Sequence, residues 1–171
     1  MLLLSGLTVP ALAGILLGMV AGITTHEFSH ALVADSLGDH RPRALGRVSL
    51  NPLRHLDPLG SALLVLVGIG WGRPVPVALE SLRNGKTGMA IVAACGPLAN
   101  VVVALLAAAV FRAVDIVLGP GAEPGAFVLE GLYWVVAVNL LLAILNLIPI
   151  PPLDGFQVVL AVVPPRWELL I

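Results

Sequence analysis

Residues 10–38 read PALAGILLGMVAGITTHEFSHALVADSLG, and this stretch decides how the chain folds. It is almost wholly apolar, Pro10 suits the first turn of a helix, and Gly38 suits its end. The pattern predicts a helix from Pro10 to Leu37, about 40 Å long, which is enough to cross a bilayer with tilt. The basic start of a signal peptide is missing from the sequence, so we expect this helix to be retained.

The whole chain shares this apolar character. Of its 171 residues, 58% are hydrophobic and 11% are charged, whereas a soluble domain averages about 25% charged residues. The composition predicts an integral membrane protein embedded in a lipid bilayer. Nucleic-acid binding has no support, because the net charge is −1 and the sequence has no basic tail. The one cysteine, Cys95, cannot form an internal disulfide, and we expect it to be a small packing residue.

The first helix contains the motif His26-Glu27-Phe28-Ser29-His30. Its two histidines are four positions apart, so they project from one helix face and can hold a metal ion from the same side. Glu27 could take a proton from a metal-bound water. His30 is expected about 12 Å below the end of the helix, at membrane depth, where ionisable groups are costly and mark functional sites. The alternative is a pair of core histidines that only bond neighbouring helices, which the intervening glutamate disfavours.

The rest of the hydropathy pattern predicts two more spanning helices, at about Thr87–Leu118 and Phe127–Leu147. Residues 59–70, LGSALLVLVGIG, are too few to span, so we predict a re-entrant or half-membrane segment. Residues 73–77, RPVPV, exclude a helix and predict an extended segment, whose edge could pair with an unwound peptide. A short helix is expected from Phe156 to Val163.

The polar stretch 39–58 joins the first helix to the half-membrane segment. Within it, Arg47–Leu50 is predicted as a short strand. His55 and Asp57 fall in the same stretch, and two roles remain open for them. They could support the polar site or the access of a substrate to it, or they could be ordinary loop and cap residues.

The third spanning helix runs into NLIPIPPLDG, residues 146–155, where the prolines must break it. Unwound backbone at membrane depth is tolerated only where protein buries it or where it lines a wet cavity, so the break and Asp154 mark a polar site. Asp154 can add a third ligand to the two histidines. Two histidines and a carboxylate, with water in the fourth position, form a hydrolytic zinc site.

We therefore predict one zinc ion held by His26, His30 and Asp154, with Glu27 as the catalytic base. Asn146 lies on the same broken element, and its amide could hold the substrate backbone or the developing oxyanion. The expected fold is an all-α membrane protein. It has three spanning helices, a re-entrant or half-membrane segment and short extended segments around a buried zinc site.

Loop charge predicts the orientation of the chain. Region 39–87 carries seven arginine and lysine residues, whereas the loop 112–126 has only Arg112. The positive-inside rule places region 39–87 in the cytoplasm, so the zinc site is expected toward the cytoplasmic face.

The chain resembles the site-2 protease family of intramembrane zinc metalloproteases, in its compact bacterial and archaeal form. The matching pieces are HEFSH at 26–30, GPLAN at 96–100, NLIPIPPLDG at 146–155, GRVSLNPLRHLDPLG at 46–60 and RPVPV at 73–77. The resemblance implies a prokaryotic plasma membrane protease that cuts transmembrane segments of other proteins. It assigns the ligands and base named above, a substrate-positioning role to Asn146, and a structural or substrate-side role to Asn100.

We expect residues 1–171 to form a single transmembrane protease domain. Trp167–Ile171 look like the start of another element, so the domain is expected to be truncated at its C-terminus. The rival hypothesis is a non-proteolytic membrane protein that binds or transports a metal with the same ligands. A transporter should carry more polar intramembrane residues than Asn100 and Asn139. The sequence gives no oligomeric state.

Overall fold

The computed structural model describes residues 6–67, 71–119 and 123–163, and helices dominate these ranges. They are α1 (Val9–Ser36), α2 (Arg41–Ala44), α3 (Pro58–Val67), α4 (Gly85–Leu118), α5 (Glu123–Asn146) and α6 (Asp154–Val162). Single 3₁₀ turns lie at Pro52–Arg54 and Leu79–Ser81. Helices α1, α4 and α5 pack against one another, and α6 packs against α4. This arrangement confirms an all-α fold.

Helices α1, α4 and α5 are each long and apolar enough to cross a membrane, which confirms the three predicted spanning helices. Their outward surfaces are apolar as well. Leu98 and Leu105 of α4 are 62% and 64% exposed, and Ile144 of α5 is 63% exposed. Such a surface would be costly in water but matches the hydrocarbon core of a bilayer. The chain is therefore an integral membrane protein.

Glycines let α1 approach α5 closely. Gly14, Gly18 and Gly22 recur every fourth residue and so share one face of α1. A Cβ atom at Gly18 would lie 3.1 Å from the Cα of Val135, and one at Gly22 would lie 2.7 Å from the side-chain oxygen of Asn139. Because small residues let helix backbones come together, this face sets the distance and rotation of the two helices.

The polar stretch after α1 is fixed by a buried carboxylate. Helix α1 is followed by Gly38, whose φ of 111° lies in the left-handed region that glycine tolerates best. The next residue, Asp39, accepts hydrogen bonds from the guanidinium of Arg41 (2.8 and 2.7 Å) and from the backbone N–H of Ala78 (2.8 Å). The Arg41 guanidinium holds the pKa of Asp39 well below its ordinary value. Asp39 thus ties the end of α1 to residues 71–78.

Residues 71–78 form a non-helical segment, as predicted for 73–77, and we call it the extended segment. Gly72 makes an isolated antiparallel bridge with Leu56, and the N–H of Arg73 donates to the carbonyl of His55 (2.6 Å). The Arg47 guanidinium also donates to the carbonyl of Arg73 (3.2 Å). Burial lowers the pKa of Arg47. These contacts fasten the extended segment to the loop that follows α1.

The predicted strand at Arg47–Leu50 is wrong. The N–H of Ser49 donates to the carbonyl of Arg47 (2.9 Å), so the chain turns here instead of extending. The carbonyl of Ser49 is bonded by the His55 ring (2.6 Å). The backbone groups that a partner strand would need are therefore engaged within the loop itself.

Two other predicted elements are present with ends that differ by a few residues from the prediction. Helix α3 has ten residues, too few to span a bilayer, and its return to one side of the membrane stays a prediction. Residues 68–70 at its predicted end lie outside the described residues. Helix α6 matches the short helix expected from Phe156. The element expected at Trp167–Ile171 also lies outside the described residues.

Candidate metal centre

Helix α1 places His26 and His30 one turn apart, and both are buried. Asp154 is the first residue of α6 and reaches the same point from the other end of the chain. Its Oδ2 lies 3.0 Å from Nε2 of His26 and 3.3 Å from Nε2 of His30. One ligand atom from each of the three residues lies within 4.8 Å of the others. The structure thus brings together the three residues that the sequence predicts as zinc ligands.

The proline-rich break delivers Asp154 by folding back on itself. After α5 ends at Asn146, the N–H of Ile150 donates to the carbonyl of Ile148 (2.8 Å), and short turns continue to α6. A Cβ atom at Gly155 would lie 2.7 Å from the carbonyl oxygen of Ile148 and would also meet the carbonyl of Leu147. Only glycine admits this close return, which explains the Asp-Gly pair at the start of α6.

The two imidazoles are oriented by hydrogen bonds on their outer nitrogens. Nδ1 of His30 lies 2.7 Å from the carbonyl of Val92, which can only accept, so this nitrogen donates. Nδ1 of His26 lies 2.7 Å from Oδ1 of Asn100. The Asn100 amide nitrogen donates to the carbonyl of Gly22 (3.1 Å), so its oxygen must face His26 and accept. In the neutral rings, both Nε2 atoms therefore present lone pairs toward Asp154.

The donor set fits a zinc ion. Two imidazole lone pairs and a carboxylate oxygen converge, and Oδ2 of Asp154 is buried with no hydrogen-bond partner in the described part of the chain. Buried acceptors that face one another are costly unless a cation lies between them. The contacts of 3.0 and 3.3 Å are near the ligand spacing of about 3.3 Å expected around tetrahedral zinc with bonds of about 2.0 Å.

Helix α4 passes directly against the two rings at Gly96. A Cβ atom there would lie 2.5 Å from Nε2 of His30 and 2.7 Å from Cε1 of His26. Pro97 follows and is also buried, but α4 continues through it. Gly96 therefore makes the space that the imidazoles occupy, which gives the GPLAN stretch a role in the site.

The Glu27 side chain bonds to the extended segment, whereas the two histidines bond to α4. Its Oε2 accepts a hydrogen bond from the N–H of Val75 in the extended segment (3.2 Å). Gly72 of the same segment also comes close, since a Cβ atom there would be 3.5 Å from Oε1 of Glu27 and 2.6 Å from Cγ2 of Ile23. The half-buried carboxylate is thus held between α1 and the extended segment.

The remaining candidates lie outside this cluster. Asn146 is the last residue of α5, and its amide donates to the carbonyl of Leu142 (2.9 Å), so its substrate role stays a prediction.

Asp57 accepts from the N–H of Gly60 (2.9 Å) in the first turn of α3, as a cap residue does. His55 is wholly buried within the loop. Its bond to Ser49, described above, favours the loop and cap interpretation. Half-buried Cys95 donates its S–H to the carbonyl of Val92 (2.9 Å).

Sequence reasoning missed the part played by Asn139. It is wholly buried on α5, and its side-chain oxygen accepts from the amide of Asn100 (3.2 Å). The available signals were an amide inside a spanning helix, which is costly without partners, and the four-residue glycine spacing on α1. Together they indicate a polar contact at a close helix crossing.

Comparisons with known proteins point the same way as the geometry. A family model described as Peptidase family M50 matches residues 112–167. The chain is 35% identical over 152 residues to the Bacillus subtilis protein named "Putative zinc metalloprotease YwhC", covering 86% of this chain and 68% of that protein. It is 32% identical over 147 residues to "Putative zinc metalloprotease Rip2" of Mycolicibacterium smegmatis, covering 83% of this chain and 54% of the relative.

A Mycobacterium tuberculosis protein of the same name is 32% identical over 164 residues, covering 90% of this chain and 61% of that protein. The chain thus spans roughly half to two thirds of the length of these relatives. No solved structure matches it.

Proposed function

The chain belongs to peptidase family M50, the site-2 protease family of intramembrane zinc metalloproteases. We propose that its catalytic site is the centre formed by His26, His30 and Asp154. The observation that carries this assignment is the convergence of two oriented imidazoles and an unpartnered buried carboxylate oxygen. The family and the names of the relatives favour a zinc metallopeptidase over a metal transporter.

In this proposal, His26, His30 and Asp154 would hold one zinc ion. When bound, zinc supplies Lewis-acid polarisation of the scissile carbonyl and lowers the pKa of a bound water. Glu27 accepts the proton of the attacking water and delivers it to the amine that leaves. Its hydrogen bond from Val75 keeps the carboxylate beside the metal ligands, where this transfer is needed.

The substrate is a transmembrane segment of another membrane protein, unwound at the bond that is cut. We propose that Asn146 turns its amide to the substrate backbone or to the developing oxyanion. The extended segment can offer an unwound substrate mainly acceptors. Pro74 and Pro76 have no N–H, and the N–H groups of Arg73 and Val75 are engaged by His55 and Glu27. A substrate strand that pairs there is proposed to donate to carbonyls of the segment beyond Pro74, because those of Arg73 and Pro74 already accept from the Arg47 guanidinium (3.2 and 3.4 Å).

The site is proposed to face the cytoplasm of a prokaryotic plasma membrane. His30 precedes the last residue of α1, Ser36, by six residues, which places it about 9 Å from that helix end. The end leads into region 39–87 with its seven basic residues, which the positive-inside rule assigns to the cytoplasm. Residues 1–171 are proposed to act as one protease domain.

The test uses the purified chain in liposomes with a model transmembrane peptide that carries a helix-breaking residue at its centre. Removal of metal by a chelator should abolish cleavage, and one equivalent of zinc should restore it. Asp154→Ala should lose both zinc and cleavage. The matched control is Asp115→Ala, which removes a half-buried carboxylate paired with Arg112 near the end of α4. Cleavage by zinc-free protein, or an Asp154→Ala variant that keeps zinc and activity, would contradict the proposal.

A further inference from the structure

Two hydrogen-bonded side-chain amides connect the metal centre to helix α5 of the bundle. Oδ1 of Asn100 on α4 faces Nδ1 of His26 at 2.7 Å, and the Asn100 amide nitrogen donates to Oδ1 of Asn139 at 3.2 Å. The Asn139 amide nitrogen donates in turn to the carbonyls of Gly18 (3.2 Å) and Val135 (2.9 Å). His26, Asn100 and Asn139 come from three different spanning helices.

Each of these two amides can point only one way. The Asn139 NH₂ group faces two backbone carbonyls, which only accept, so its oxygen must face Asn100. The Asn100 NH₂ group faces the carbonyl of Gly22 and the Asn139 oxygen, so the Asn100 oxygen must face His26. Reversal of either amide would set donors against donors and acceptors against acceptors. The orientation of the Asn139 amide therefore favours one orientation of the Asn100 amide and, through it, a proton on Nδ1 of His26.

Packing leaves no room for another arrangement at this crossing. Asn100 and Asn139 are both wholly buried. A Cβ atom at Gly22 would lie 2.7 Å from Oδ1 of Asn139 and 3.1 Å from Nδ2 of Asn100. The glycine thus lets the two amides meet against the backbone of α1. Fully satisfied buried polar networks of this kind fix a single geometry.

We propose that Asn139 is a positioning residue of the metal centre, which acts through Asn100 to keep the proton of His26 on Nδ1 and its Nε2 lone pair directed at Asp154. Outer partners of metal-ligating histidines commonly set tautomer and ring orientation. Here the outer partner is itself set by a residue on a third helix. The inference rests on the proposed zinc site, but the orientation of the ring does not require the metal.

His30 provides an internal reference. Its Nδ1 donates to the backbone carbonyl of Val92, and none of the described contacts of His30 involves Asn100 or Asn139. A change at Asn139 should therefore alter His26 and leave the tautomer of His30 unchanged. A general loosening of the protein would affect both rings.

The first experiment measures the tautomers directly in metal-free protein. The chain is labelled with ¹⁵N-histidine, and the ring nitrogens are followed by NMR while the pH is raised until the spectra show both rings in their neutral form. In the wild type, His26 and His30 should both carry the proton on Nδ1. In Asn139→Leu, only the Gly22 carbonyl still orients the Asn100 amide, so the fraction of His26 with its proton on Nε2 should rise while His30 stays as before. A His26 ring that keeps the wild-type tautomer in Asn139→Leu would overturn the proposal.

The second experiment measures zinc affinity by competition with a chelator. Asn100→Leu and Asn139→Leu should each weaken zinc binding, by roughly 10-fold to 100-fold as for other outer partners of histidine ligands. The double variant should bind zinc no more weakly than Asn100→Leu alone, because Asn139 acts only through Asn100. Additive losses, or an Asn139→Leu variant with wild-type affinity, would show that Asn139 has no such role.

Controls separate positioning from folding and from the zinc proposal itself. Val138 directly precedes Asn139 on α5, and Val138→Ala removes buried packing against Met19 and Ile23. This variant should lower thermal stability without changing the zinc affinity or the tautomer of His26. If Asn139→Leu does not fold, Asn139→Ala removes the same bond to Asn100 with a smaller side chain and should give the same His26 result. A wild type that binds no zinc would contradict the proposed function, while the NMR comparison would still decide the role of Asn139.

Discussion

The metal ligands and the proposed base are neighbours in sequence, but different parts of the molecule hold them. His26 and His30 are fixed inside the helix bundle, by Asn100 and by the carbonyl of Val92 on α4. Glu27, one residue from His26, is held from outside the spanning helices by the N–H of Val75. The bundle relies on glycine contacts and satisfied amides, whereas the extended segment is fastened by hydrogen bonds to the loop that follows α1.

This difference suggests that metal binding and peptide cleavage can be separated. Damage to the bundle around the imidazoles should remove the metal and, with it, the activity. Damage to the extended segment should weaken catalysis and leave the metal in place.

Glu27→Gln should lower the cleavage rate by about 1,000-fold, because the amide cannot accept the proton of the attacking water. The side chain keeps its shape, and its oxygen can still accept from Val75, so zinc content should stay at the wild-type level. Cleavage of the model transmembrane peptide and metal analysis check both results. Glu130→Gln is the matched control, since Glu130 bonds Thr8 at the opposite end of the bundle. Wild-type cleavage by Glu27→Gln would refute the role of base.

Gly96→Ala should weaken zinc binding by about 100-fold or more, as expected when the rings of two ligands are displaced. The added methyl group would lie 2.5 Å from Nε2 of His30, and the α4 backbone cannot move away without disturbing the helix. Gly88→Ala on the same helix is the control, because its Cβ would meet Leu82 at 3.2 Å instead of the imidazoles. Equal zinc affinities in the two variants would contradict the close packing of α4 on the site.

Val75→Pro should lower the cleavage rate by about 10-fold, since it removes the N–H that positions Glu27, and a hydrogen bond to a charged group contributes about 1.5–3 kcal/mol. Zinc affinity should not change. Val75→Ala keeps the N–H and should cleave at close to the wild-type rate. The idea fails if Val75→Ala and Val75→Pro lose activity to the same degree.

Asp39→Asn should lower the free energy of unfolding by about 1 kcal/mol at neutral pH, through weaker bonds to Arg41 and Ala78. The depressed pKa of Asp39 stabilises the fold above the ordinary aspartate pKa of about 3.9, and this stabilisation is lost as pH falls through the folded-state pKa. The stability gap between wild type and variant should therefore be constant above pH 5 and shrink below about pH 4. Thermal unfolding at several pH values measures it, and a gap that grows toward acid would contradict the assignment.

Local signals explain what the sequence predicts correctly. The spanning helices follow from hydropathy, and the facing pair His26 and His30 follows from their four-residue spacing. Asp154 could be placed at the same depth because prolines must break the third spanning helix just before it. Each of these features depends on neighbours within a few residues, so no knowledge of helix packing is needed.

The contacts that orient the site depend on remote residues and could not be predicted. The bond from Val75 to Glu27 exists because Asp39 and Arg47 fasten the extended segment beside α1. The link from Asn139 to His26 exists because the rotations of α1, α4 and α5 about their axes turn these side chains toward one another where the helices meet. The strand predicted at Arg47–Leu50 failed for a more local reason, because the Ser49 N–H turns back to the Arg47 carbonyl and the His55 ring bonds the Ser49 carbonyl.

The central claim is that His26, His30 and Asp154 together hold one zinc ion, and zinc K-edge X-ray absorption of the purified protein tests it most directly. We expect one zinc per chain with nitrogen and oxygen ligands only, at about 2.0–2.2 Å, including two imidazoles. The same measurement on Asp154→Ala should show the loss of zinc. A sulfur ligand at about 2.3 Å, which would have to come from Cys95, or a protein that retains no zinc, would refute the proposed ligand set.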